Sequence, residues 1–153
     1  MGHCITALIA GPEVIGHLRE SHSLISVELR ENWYLVPLED EDLDGFGVDF
    51  TTTWDGFNYL SPALADFLAG LSRLGPLIFV ETEYFGGVGD QAAAAFAEGH
   101  ILPPTPVAGD CSINRALRCL GIISPEDLDE FDYIGLSRYR RTSDWKAAAG
   151  PLD

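Results

Sequence analysis

Short stretches of alternating or continuously apolar residues predict the strands of this chain. Residues 24–29 and 33–38 alternate between apolar and polar side chains, as half-buried strands do, and Arg30-Glu31-Asn32 between them indicates a hairpin. Residues 3–10 alternate weakly, and residues 77–84 form a partly buried run. The pattern therefore predicts four strands before the glycine-rich part of the chain is considered.

Apolar residues that recur at three- and four-residue spacing predict the helices. The clearest helix begins at Ser61-Pro62 and continues to Leu74, because Ser61 can cap its amino terminus, proline suits the first turn and Gly75 can supply a left-handed stop. The same spacing predicts three further helices, at residues 12–20, at 112–120 with Gly121 as the stop, and from Ser124 to a stop at Gly135.

The segment Gly86–Asp90 follows a predicted strand and has the glycine spacing of a dinucleotide-binding turn. That interpretation requires a helix directly after the glycines, whose amino terminus would hold the pyrophosphate. Two carboxylates, Glu81 and Glu83, precede the turn and would repel an anion, and Glu98-Gly99 would end such a helix after barely two turns. We therefore predict a β-hairpin closed by Gly86–Asp90 and no bound cofactor, with two further strands at residues 91–97 and 100–102.

Together these elements predict an α+β fold in one domain over residues 1–153. The expected architecture is a mainly antiparallel sheet of about five or six strands, with three to four short helices packed on it. Residues 146–153 are mostly small and are expected to fray from the end of the domain.

The chain is strongly acidic, with 24 Asp and Glu against 9 Lys and Arg and a formal net charge of −15. A field of that sign repels phosphate groups, so binding to nucleic acid or to an anionic membrane is not expected. No apolar run approaches the roughly 20 residues that cross a bilayer, and residues 1–10 lack the basic start of a secretory signal. Three cysteines without paired spacing suit a reducing compartment, so a cytoplasmic location is expected.

The acidic residues are concentrated between Arg30 and Arg73, a stretch that contains no Lys or Arg. Residues 39–55 have no sustained helical or strand period, and we predict a surface loop there, with a short edge strand at 51–54. Carboxylates interleaved with aromatic residues suit an interface with a basic partner, because charge steers association and aromatic rings anchor it. The alternative is that these aromatic residues belong to the core. The predicted partner-binding residues are Glu39, Asp40, Asp42, Asp44, Asp49, Phe50, Trp54, Asp55 and Phe57.

Residues that could carry catalysis or hold a metal lack the partners that such sites need. Cys111, near a helix start, and His100 could form a nucleophile and a base, but no third residue is indicated to orient the imidazole. The four histidines show no metal-ligand spacing, and the acidic run that ends at Asp44-Gly45 lacks the downstream bidentate Glu of a calcium loop. No catalytic residue and no metal site is therefore predicted.

One alternative function stays open at this point. Glu81 and Glu83 lie two residues apart on one predicted strand and so project from the same face. Paired carboxylates can perform acid–base chemistry, so the chain could be an enzyme or a small-ligand module with a cleft beside Glu81, Glu83 and the Gly86–Asp90 turn. Structural ion pairs between these carboxylates and the arginines of residues 138–141 are the explanation that we favour.

The C-terminal half resembles a group of small bacterial proteins in three segments: Val80-Glu-Thr-Glu-Tyr-Phe-Gly-Gly-Val-Gly-Asp-Gln91, Ser112-Ile-Asn-Arg-Ala-Leu-Arg-Cys-Leu-Gly121 and Asp129-Glu-Phe-Asp-Tyr-Ile-Gly-Leu-Ser-Arg-Tyr-Arg-Arg-Thr-Ser-Asp-Trp145. That group is the immunity proteins of polymorphic toxin systems. The resemblance implies a stoichiometric inhibitor, not an enzyme, that neutralises a cognate toxin. The charge of the chain adds the expectation that this toxin has a basic surface. The resemblance does not extend to residues 1–75 and implies no catalytic residues.

Overall fold

One antiparallel sheet, covered by helices on both faces, organises the chain. The structure is a computed structural model, and it describes residues 3–22, 24–29, 32–46, 53–54, 57, 59–85, 88–102, 107–108, 112–124, 130–139 and 141–149. The strands are β1 (His3–Ala10), β2 (Val27–Glu28), β3 (Tyr34–Pro37), β4 (Leu77–Phe85), β5 (Val88–Ala97), β6 (His100–Ile101) and β7 (Val107–Ala108). The helices are α1 (Pro12–His22), α2 (Asp40–Asp44), α3 (Pro62–Leu71), α4 (Ser112–Cys119), α5 (Glu130–Ile134) and α6 (Thr142–Ala149), with a 3₁₀ turn at Leu136–Arg138.

The strands follow the order β2-β3-β1-β4-β5-β6 across the sheet, and β7 pairs with β5 beside β6. The long central pair joins β1 to β4 from His3 opposite Tyr84 to Ala10 opposite Leu77. All the pairings between these strands are antiparallel. The predicted α+β fold with a mainly antiparallel sheet is therefore confirmed.

Alternation along the strands divides the core between the two faces of the sheet. On β1, Leu8 and Ala10 face the cluster that α1, α2 and α3 cover, whereas Ile5, Ala7 and Ile9 face the cluster that α4, α5 and α6 cover. Because both faces are covered, the central strands are apolar at successive positions. The four alanines of β5, at positions 92–95, are at most 1% exposed and leave room for helices to pack closely on both sides.

The glycine-rich segment joins two strands of a hairpin, as predicted, but the predicted turn is too long, because Val88, Gly89 and Asp90 already pair with β4 as the first residues of β5. The ladder between β4 and β5 continues to the pair of Phe85 and Val88, and residues 86–87 lie outside the described part of the structure. The residues after the glycines form strand β5, not the helix that a dinucleotide-binding turn needs. The next reversal uses Glu98 and Gly99, both with positive φ (54° and 87°), as a tight hairpin turn requires.

Helix ends that carry a local signal are mostly where the sequence predicts them. The side-chain oxygen of Ser61 accepts a hydrogen bond from the Leu64 amide at 3.1 Å and caps α3, and Gly121 and Gly135 have the left-handed φ of 84° and 104° that ends a helix. The predicted stop at Gly75 is wrong, because α3 ends at Leu71 and Ser72 follows in a right-handed conformation. Residues 125–129, at the predicted start of the last helix, lie outside the described residues.

Three further predictions differ from the structure. The acidic residues Asp40–Asp44 form helix α2 where a loop was expected, because carboxylates in the first turn of a helix interact favourably with its positive end. Thr53 and Trp54 are not part of a strand. Residues 146–149, expected to fray, form the end of α6, because the preceding Trp145 is fully buried and anchors that helix.

Helix α6 also completes an edge of β1. Strand β3 pairs with β1 only as far as Pro37 opposite Ala7. Beyond that point the amide of Thr6 donates a hydrogen bond to Oγ1 of Thr142 at 3.0 Å, and Arg141 forms a parallel bridge with Cys4. The start of α6 therefore lies beside the first residues of β1, where β3 no longer pairs with it.

Candidate functional site

The centre of the predicted partner-binding segment is the short helix α2. Its first turn is fixed by the amide of Glu39, which donates to Oδ2 of Asp42 at 2.8 Å, and by the amide of Asp42, which donates to the carbonyl of Glu39 at 2.9 Å. The inward side holds Leu43 and Phe46, which are 2% and 8% exposed. The ring of Phe46 stacks on that of Phe67 in α3 at 4.7 Å. The helix thus has an apolar side toward the sheet and presents carboxylates outward.

Helix α6 brings a cation to these carboxylates. The ammonium of Lys146 lies 2.6 Å from Asp42, 3.1 Å from Glu39 and 3.5 Å from Glu41. Burial lowers the pKa of Lys146, but the hydrogen bonds and charges of Asp42 and Glu39 outweigh it, so the pKa of Lys146 is raised overall. Lys146 is the only lysine in the chain. Residues 31–72 contain no basic residue, so the cation that partly neutralises this acidic segment comes from a distant part of the chain.

The carboxylates of α2 differ in how much of their charge stays available. The side chain of Glu41 is 79% exposed, and Asp44 at the end of the helix is exposed as well. Asp42 is only 14% exposed and is held between Lys146 and the amide of Glu39. Nothing is described of the side chain of Asp40, and Asp49, Phe50 and Asp55 lie outside the described residues.

The aromatic residues of the predicted site pack inward. Phe57 is 6% exposed and is part of the core cluster beneath α1, α2 and α3. Trp54 is partly buried against the same cluster, and its amide donates to the carbonyl of Leu60 at 2.8 Å. For Phe57 the alternative interpretation, a core residue, therefore holds. Trp54 is only partly buried and keeps some exposed surface.

The two carboxylates of β4 have different surroundings. Glu81 is 4% exposed, and its Oε2 accepts hydrogen bonds from the amides of Tyr59 at 3.0 Å and Leu60 at 3.2 Å. The carboxylate thereby holds the segment that leads into α3. Glu83 is exposed. Because Arg140 lies outside the described residues, the predicted ion pairs of this strand with residues 138–141 stay a prediction.

Charge is distributed unevenly between the two faces of the sheet. Helices α1, α2 and α3 carry seven carboxylates and one arginine, a formal charge of −6. On the opposite face α4, α5, the 3₁₀ turn and α6 carry three carboxylates and four basic residues, a formal charge of +1. Among the described helices, the excess of negative charge is therefore carried by those on the face that contains α2.

A second ionic site, missed in the sequence, joins α4 to α5. Nε and one terminal nitrogen of Arg118 each lie 2.8 Å from Oε1 of Glu130, and the Ser124 amide donates to Oε2 at 3.1 Å. Glu130 is 6% exposed. The pKa of Glu130 is lowered. The hydrogen bond from the Ser124 amide is the main cause; burial acts in the opposite direction, and the hydrogen bond and charge of Arg118 add to the lowering.

A shallow groove of about 450 Å³ lies between α1 and α3 on the acidic face. Its lining includes the apolar residues Phe67, Leu71 and Leu74 and the polar residues His17, Asp66 and Arg73. Leu74 is 45% exposed. Such a surface can receive an apolar side chain, and sequence reasoning assigned it no role.

The described residues offer little to cofactor or thiol chemistry. Nowhere in these ranges do three His, Cys, Asp or Glu side chains come together as metal ligands, and no helix among them has the length and apolar composition to cross a membrane. Burial raises the pKa of the Cys119 thiol, which makes it a poor nucleophile. Cys111 lies outside the described residues, so the hypothesis that it pairs with His100 is not tested.

The geometry therefore brings together an acidic helix, one lysine and an uneven distribution of charge, without a described catalytic constellation. Comparison of the chain with protein-family models, with curated proteins and with solved structures finds no match.

Proposed function

We propose that this protein is a stoichiometric, protein-binding inhibitor that docks its acidic face on a basic partner, as an immunity protein neutralises its toxin. The observation that carries the proposal is the excess of negative charge at α2. Residues 39–44 hold five carboxylates, and the described contacts bring them a single ammonium, that of Lys146. The excess is presented on a folded surface and not on a solvated loop.

An acidic surface of this kind suits a partner whose active cleft is basic. Clustered charge of one sign accelerates the encounter with a surface of the opposite sign and disfavours partners of like charge. The resemblance of the C-terminal half to immunity proteins supports a toxin as that partner. In such a system the inhibitor acts in the cytoplasm and needs no cofactor, because occupying the partner's cleft is sufficient.

The residues with the best access to a partner are Glu41 and Asp44. Both are exposed on α2, and Glu41 is the most distant of the three carboxylates that Lys146 meets, at 3.5 Å, whereas Glu39 and Asp42 lie closer to the ammonium. Of the predicted aromatic residues that the structure describes, Trp54 has surface left for contact and Phe57 belongs to the core. The alternative function, an enzyme or ligand module at the β4 carboxylates, has weaker support because the carboxylate of Glu81 is engaged by backbone amides.

The proposal is tested by capturing the partner on the immobilised chain from lysate of the native host and identifying it by mass spectrometry. The purified partner should lose its activity at a one-to-one molar ratio. The double variant Glu41→Gln/Asp44→Asn should slow association about threefold to tenfold at low salt and flatten its salt dependence. The matched control is Glu13→Gln/Glu20→Gln on α1, which removes the same charge from exposed positions elsewhere on the acidic face.

Two outcomes would count against the proposal. If the α1 pair slows association as much as the α2 pair, net charge alone steers the encounter and α2 is not the docking surface. If the free chain turns over a substrate and a single substitution at Glu81 or Glu83 abolishes that activity, the chain is an enzyme and not an inhibitor.

A further inference from the structure

Helix α2 is too short to hold itself in place. It has five residues, fewer than an isolated helix needs to be stable in water. Its acidic residues suit its amino terminus, but they also repel one another, and its last turn has no basic residue. Besides the hydrogen bonds of its first turn, the contacts that tie it to neighbouring elements include the burial of Leu43, the burial of Phe46 directly after the helix, and the ion pairs to α6.

Helix α6, by contrast, is anchored by contacts that do not involve α2. Trp145 is fully buried in the core of the opposite face, and the ring of Tyr139 packs edge-on against it at 4.8 Å. The guanidinium of Arg138 lies 5.6 Å over the same indole. At the start of α6, Thr142 accepts a hydrogen bond from the Thr6 amide in the central strand. These contacts fix α6 to the sheet, so it can serve as a support for α2.

The connection between the two helices converges on one oxygen atom. Oδ2 of Asp42 accepts the amide of Glu39 at 2.8 Å and lies 2.6 Å from the ammonium of Lys146. The atom that fixes the first turn of α2 is thus also the atom that Lys146 holds. The lysine side chain is 22% exposed, so most of its length is covered.

We propose that Lys146 is a strap between the two faces of the sheet, and that the order of α2 depends on its ammonium. The anchored helix α6 extends this cation across the end of β3 and holds the first turn of α2 against the core. Loss or displacement of the cation releases α2, while the sheet and the other helices stay folded. The strap belongs to the free chain, so its test needs no partner, and its failure would leave the proposed function standing.

The strap has a consequence for any basic partner of this face. A partner cation that takes the place of Lys146 at Oδ2 of Asp42 separates α2 from α6, and the order of α2 then depends on the partner. A partner that uses Glu41 and Asp44 meets a helix that the strap holds in place.

The experiment is backbone amide hydrogen exchange on wild type, Lys146→Met and Lys146→Arg. The reporters are the amides of Leu43, Gly45 and Phe46, which are bonded at 3.1 Å within α2 or directly after it. The references are the amides of Ser72 and Ile122, bonded to carbonyls of α3 and α4. Methionine keeps the apolar stem without the charge, and arginine keeps the charge.

Lys146→Met should accelerate exchange of the three reporters about tenfold relative to the references, and Lys146→Arg less than about threefold. Raising NaCl from about 0.05 to 0.5 M should accelerate the reporters in wild type, because it screens the ion pairs. In Lys146→Met the same increase in NaCl should slow exchange of the reporters. Without the ammonium, salt screens only the repulsion between the carboxylates and so stabilises α2.

The proposal is overturned if the reporters of Lys146→Met keep their wild-type rates relative to the references. It is also overturned if Met and Arg accelerate them equally, since the shape of the lysine would then matter and not its charge. Should Lys146→Met not fold, the salt series on wild type decides: reporters that do not accelerate relative to the references reject the strap.

Discussion

Two ionic sites of this molecule differ in the number of carboxylates that surround one basic side chain. Arg118 and Glu130 form a one-to-one pair on a carboxylate that is 6% exposed and also accepts the Ser124 amide. Lys146 meets three carboxylates whose side chains range from 14% to 79% exposed. The first site lies within the near-neutral face of the sheet, and the second joins that face to the acidic one.

The difference teaches which charges are structural and which are available. At Glu130 every charge has its counterpart, and removing one partner costs packing and hydrogen bonds. At Lys146 one cation cannot neutralise three carboxylates. Negative charge therefore stays at the surface even though the ammonium holds α2 to α6. A candidate interface is therefore better sought where cations and carboxylates do not balance than where acidic residues are merely numerous.

The largest expected effect on stability is at the one-to-one pair of Arg118 and Glu130. Glu130→Gln removes the charge that Arg118 binds and should lower the free energy of unfolding by about 1–2 kcal/mol, a range reduced because Arg118 stays half-exposed to water. Urea denaturation at pH 7 measures the loss. Glu20→Gln, an exposed change of the same chemistry on α1, should stay within about 0.5 kcal/mol of wild type. Equal losses in the two variants would make Glu130 an ordinary surface carboxylate.

The two sites should fail at opposite ends of the pH scale. The pKa of Glu130 is lowered in the folded state, so its contribution is complete above the unfolded value of about 4.3 and is lost as pH falls through the folded value. The pKa of Lys146 is raised, so its contribution is complete below about 10.4 and is lost as pH rises through the folded value.

The stability difference between wild type and Glu130→Gln measures the acid side of this contrast. It should be constant from about pH 6 to 8 and narrow below about pH 4. The difference in the free energy of unfolding should narrow in acid without disappearing, because a protonated Glu130 still accepts the hydrogen bond from the Ser124 amide. A difference that widens toward acid would mean that Glu130 is stabilised in its neutral form.

The smallest expected effects on stability are those of two carboxylates beside Lys146, Glu41 and Asp42. Glu41→Gln should change the free energy of unfolding by less than about 0.3 kcal/mol, because the side chain is 79% exposed to water. Asp42→Asn should cost about 1 kcal/mol, because its oxygen joins the cap of α2 to the ammonium. Urea denaturation of both variants, side by side, makes the comparison. If the order is reversed, the availability of charge cannot be inferred from exposure.

Much of the fold follows from signals that act within a few residues. Ser61 caps α3, and Gly121 and Gly135 end their helices. Each of these depends on a backbone bond or a φ angle that neighbouring residues set. Helix α2 was missed because five residues are too few to show a period, and Gly75 was misjudged because a glycine permits a left-handed stop without requiring one.

The candidate site was predictable only in part, for a related reason. The sequence alone determined that residues 39–44 are strongly acidic and that the local chain has no basic residue. Folding decided that Lys146, more than a hundred positions away, would lie 2.6 Å from Asp42 and that Phe57 would be buried. Secondary structure is governed by interactions between near neighbours in the chain, whereas charges pair and apolar rings bury through space. Which carboxylates keep a free charge is therefore set by the elements that fold beside them.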